Sequence, residues 1–152
     1  LETVTEPARV LLVAALLAST GFSVFVWRLV RIDPAEPDRL IGELRFAHWM
    51  ALTLAAVGGA WIGLAAGRQS QMLSGLDLTV AIGLILTAAW TLTQDVRGAL
   101  TILCVAFLAH AIIDAAHRPD WMAADIAPLW FTLGCAGFNL VLSALCYRVQ
   151  RR

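Results

Sequence analysis

Five apolar runs, at 10–27, 46–66, 78–94, 98–113 and 126–147, pass without a single Asp, Glu, Lys or Arg. No other feature restricts the fold as much. A helix needs roughly 20 residues to cross the hydrocarbon of a bilayer, with about 17 to 25 the usual range. The runs are long and continuous, without the alternation of apolar and polar positions that marks a strand half in lipid. They predict an all-α, polytopic membrane helix bundle of about five transmembrane helices, near 8–30, 43–66, 77–94, 97–117 and 125–148, forming one domain over 1–152. The first, third and fourth runs reach full length only if a flanking Arg or Asp sits at the headgroups with its charge in water. The third is the weakest, and a four-span bundle with that run re-entrant is the alternative.

Composition agrees. Of the 152 residues 60% are apolar and 14% charged, whereas a soluble domain is roughly 25% charged. All eleven basic residues are Arg, which together with abundant Ala, Leu and Gly suggests a bacterial source and its inner membrane. The formal net charge is zero, so nothing marks the whole chain as a nucleic-acid binder or a polybasic membrane adaptor. Cys104, Cys135 and Cys146 fall inside apolar runs without CxxC spacing and read as small buried apolar residues.

Glu2 and Glu6 precede the first run, and Arg28 and Arg31 follow it. A signal peptide has the opposite order, so a retained helix is expected. With five spans, Arg28, Arg31, Arg39, Arg45, Arg97, Arg148, Arg151 and Arg152 share one side, leaving Arg9, Arg68 and Arg118 on the other. The positive-inside rule then puts the C-terminus in the cytoplasm and the N-terminus outside. Trp27, Trp49 and Trp90 would form one interfacial belt and Trp61, Trp121 and Trp130 the other. No soluble domain or repeat intervenes, so function is expected within or at the membrane.

Ala55, Gly59, Gly63 and Gly67 recur every fourth residue of the second helix, and His48 falls on the same stripe. Small residues let helices approach closely, so His48 is expected to face protein, either hydrogen-bonded or as a ligand to heme, pigment or quinone. Asn139 is the chain's only Asn. It requires a partner in hydrocarbon, and depth suggests His48, with Ser23 and Thr87 in the same layer.

The most specific pattern is His110, Asp114 and His117, at i, i+4 and i+7 on one face of the fourth helix. Two imidazoles and a carboxylate in that order suit a divalent metal or a proton relay, with Asp77, Asp120 or Asp125 as further partners. The alternative is a simple Asp114–His117 pair at a helix end. His48 and His110 lie in opposite halves of the membrane, which disfavours a bis-His heme, and three His in all are too few for a membrane di-iron oxygenase. GxSxG, HExxH, Walker and GxGxxG signatures are missing, so the expectation leans away from an enzyme. The leading functional expectation is an integral membrane accessory or structural subunit that packs with itself or with larger membrane-protein partners. The alternatives are a metal- or proton-binding protein using His110, Asp114 and His117, and a cofactor-bearing redox or photosynthetic subunit using His48 and Asn139.

Overall fold

The computed structural model describes residues 2–66, 75–117 and 128–151. They form five helices and, among the described residues, no strand: α1 (Glu2–Leu29), α2 (Pro37–Ala66), α3 (Gly75–Thr91), α4 (Val96–Ala116) and α5 (Leu129–Gln150). The chain is an all-helical bundle. Four helices, all but α3, are long and apolar enough to cross a membrane. At 17 residues, α3 rises only about 26 Å against the roughly 30 Å of a hydrocarbon core.

The connections follow from local chemistry. Pro37 starts α2 because its fixed φ suits the first helical turn and its missing N–H leaves no donor unpaired there. Asp38 then adds negative charge near the positive end of the helix dipole. Arg39, buried, reaches from this first turn to donate through its Nη1 to the Leu29 carbonyl at 2.6 Å, while its Nε donates to Glu43 Oε1 at 2.6 Å. A cation on a C-terminal carbonyl ends α1 favourably, and one side chain thereby fixes the α1–α2 corner. Between α3 and α4, three backbone bonds close the last turn and Asp95 caps α4 by accepting from the Gly98 N–H.

α2 touches all four other helices, and α4 packs on α2, α3 and α5. The antiparallel contact of α4 with α5 carries polar rungs: Gln150 Nε2 donates to Thr101 Oγ1, Ser143 Oγ donates to the Cys104 carbonyl, and Asn139 Nδ2 donates to Asp114 Oδ2. The main core gathers Val26, Leu29, Phe46, Leu100 and Val149, at the end of the bundle where α1 and α5 finish and α4 begins. Arg28, Arg31, Arg39, Arg45, Arg97, Arg148 and Arg151 cluster toward this same end. Arg68 and Arg118 lie outside the described residues.

Burial corrects the expected role of the second-helix stripe. The packed face of α2 runs through Phe46, Met50, Leu54, Gly58, Trp61 and Leu64, whereas His48, Gly59 and Gly63 are exposed. Built-on Cβ atoms at Gly59 and Gly63 meet nothing within 4 Å. At Gly58 the same atom would lie 2.7 Å from the Ala81 carbonyl, so Gly58 sets the approach of α2 to α3. Gly67 lies outside the described residues.

Candidate functional site

The polar core occupies the end of the bundle opposite that cluster of seven arginines, the end at which α1 begins and carries Arg9. α4 presents His110 and Asp114 on its buried face, and His117 caps its C-terminus. α3 contributes Asp77 from its first turn, α5 contributes Asn139 from its middle, and α2 contributes Trp61. All six are buried, with Asp114 and Asn139 at 0% exposure.

Two His–Asp pairs result. His117 Nε2 lies 3.0 Å from Asp77 Oδ1, and its Nδ1 lies 2.8 Å from the Ile113 carbonyl. A carbonyl only accepts, so Nδ1 carries a hydrogen. On the other side, Nε2 and the Asp77 carboxyl close a second hydrogen bond. In the second pair His110 Nε2 stands 3.5 Å from Asp114 Oδ1, beyond hydrogen-bond reach, while Asp114 Oδ2 accepts from Asn139 Nδ2 at 2.8 Å. Trp61 lies between the pairs, edge-on to His110 with centroids 5.9 Å apart and tilted on His117 at 5.1 Å.

The pairs differ in satisfaction. His117 uses both ring nitrogens. Neither ring nitrogen of His110 has a hydrogen-bond partner among the described residues, nor have Asp114 Oδ1 and Asn139 Oδ1. Each unsatisfied buried polar group costs about 1–3 kcal/mol. Four of them lie on three neighbouring side chains, His110, Asp114 and Asn139.

Several expected residues therefore come together: His110, Asp114, His117, Asp77 and Asn139. The simple Asp114–His117 pair does not form, because each residue has another partner. Asn139 bonds Asp114, not His48, which is exposed on α2; Ser23 bonds back to the Ser19 carbonyl. Among the described residues no group of three or more His, Cys, Asp or Glu is arranged to hold a metal ion. Asp120 and Asp125 lie outside the described residues. Trp61 is a site residue that the belt assignment missed; at 6% exposure it differs from Trp27, Trp49, Trp90 and Trp130, all at 41% or more. Its signal was its register with Met50, Leu54 and Gly58.

Comparison with protein-family models, with curated proteins and with solved structures finds no match for this chain.

Proposed function

We propose that this chain is a proton-binding protein of the bacterial inner membrane, N-terminus outside and C-terminus cytoplasmic, whose His110–Asp114 pair takes up and releases a proton inside the bundle. The unsatisfied atoms of that pair carry the reading. An unpaired ion within a bundle costs several kcal/mol, so neutrality calls for one proton shared between His110 and Asp114. The 3.5 Å gap leaves that proton outside a closed hydrogen bond and open to exchange. Ionisable residues within spans mark function by default, and the arginine asymmetry supports the orientation. Asn139 is a positioning residue: its amide holds one carboxyl oxygen and leaves the other toward His110.

Infrared difference spectra of vesicle-reconstituted protein across a pH step test this. A carboxylic-acid carbonyl band that changes with pH and vanishes in Asp114→Asn is expected. Identical spectra for wild type and variant would refute it.

A second reading, the packing subunit, draws on the exposed face of α2. His48, Gly59 and Gly63 lie there with open space over both glycines, as suits close approach by a helix of another chain or copy. Cross-linking of Gly59→Cys, with the three native cysteines replaced, would capture such a neighbour; only monomeric product would count against it.

A further inference from the structure

A cleft of about 190 Å³ is lined by α1, α2 and α5. Alanines keep it open: Ala14 and Ala18 on α1 face Ala56 and Ala60 on α2, and a methyl group spans little of the gap. Ala14 and Ala56 are exposed at its mouth, where a membrane bundle meets lipid. Asn139 and Trp61 also line it. The wall is almost wholly apolar, yet it includes Asn139, whose fully buried Oδ1 has no hydrogen-bond partner among the described residues.

We propose that this cleft binds a lipid-soluble ring carrying a hydroxyl, a phenol or hydroquinone, its O–H donating to Asn139 Oδ1 and its ring lying near Trp61. The size fits, since an apolar cavity of about 150 Å³ holds one benzene. The polarity fits as well: Asn139 Nδ2 is already committed to Asp114, so the free valence is an acceptor and the ligand must bring the donor. An acyl chain entering from the bilayer would fill the space but leave Oδ1 unpaired. α1 is suited to admitting a ligand, because only 6% of its apolar window is buried, against 39% for α2 and α4. The inference goes beyond proton binding and stands without it, since it needs Asn139 and the cleft but no change of protonation.

The test is equilibrium binding to the full chain in phosphatidylcholine nanodiscs, using a short-tailed hydroquinone and its dimethyl ether, which keeps the ring and loses both O–H donors. Saturable binding is expected, with the ether about tenfold weaker, the worth of one hydrogen bond. Ala56→Leu, which fills the mouth at an exposed position, is expected to weaken the hydroquinone at least as much. Equal affinity for hydroquinone and ether would identify a lipid-chain groove and overturn the proposal. So would non-saturable partitioning, or undiminished binding in Ala56→Leu. The infrared band of Asp114 is read separately, so either proposal can fail alone.

Discussion

At the scale of single residues, the clearest interaction is the Asn139–Asp114 hydrogen bond, with both partners fully buried. Polar pairs between membrane helices average about 0.6 and reach about 1.7 kcal/mol in double-mutant cycles. A cycle on Asp114→Leu and Asn139→Leu, followed by reversible unfolding in detergent, is expected to show coupling in that range. Each single variant should cost more than the double, because it strands one polar group; strictly additive costs would mean that the bond contributes nothing. The sequence showed that His110, Asp114 and His117 share a face, since helical periodicity needs no tertiary knowledge. It could not show which partner each would take. Asn139 reaches Asp114 because α4 and α5 pack antiparallel in a particular register, and that register is decided by the whole interface. His48 faces away from this chain's own helices for a related reason: a small-residue stripe marks where helices can approach, and here the approach to α3 is made one position earlier, at Gly58.

At the scale of elements, α2 offers a contrast between adjacent glycines. Gly58→Ala would push a methyl to 2.7 Å from the Ala81 carbonyl, whereas Gly59→Ala meets nothing within 4 Å. Melting temperatures in detergent should therefore fall for Gly58→Ala, where backbone must move by a cost of about 1–3 kcal/mol. They should stay level or rise slightly for Gly59→Ala, where alanine favours the helix by up to about 1 kcal/mol. A fall of equal size in both would contradict the packed face assigned to α2. The five helices were legible from apolar runs alone, but α2 begins at Pro37, six residues before the expected start. Hydropathy hides that turn because it is charged; Pro37 and the Arg39–Glu43 spacing were the available signals.

For the whole molecule, the long apolar runs dictate the class of fold through its solvent, and the five-helix bundle agrees in element number. What stayed out of reach was convergence, since four helices contribute to the polar core and no run reveals which neighbours it will meet. The proposed sidedness has its own check. Ala35→Cys, in a background without native cysteines, should react with a membrane-impermeant maleimide only after the cytoplasmic face is opened; labelling on intact cells would reverse the orientation. The central proposal is that the bundle holds one exchangeable proton on His110 and Asp114. ¹⁵N spectra of histidine-labelled protein in lipid read this most directly, with signals assigned through His48→Gln and His117→Gln variants. The His110 resonances should move with pH and lose that response in Asp114→Asn. A His110 signal unchanged by pH and by the loss of the Asp114 carboxylate would contradict the account.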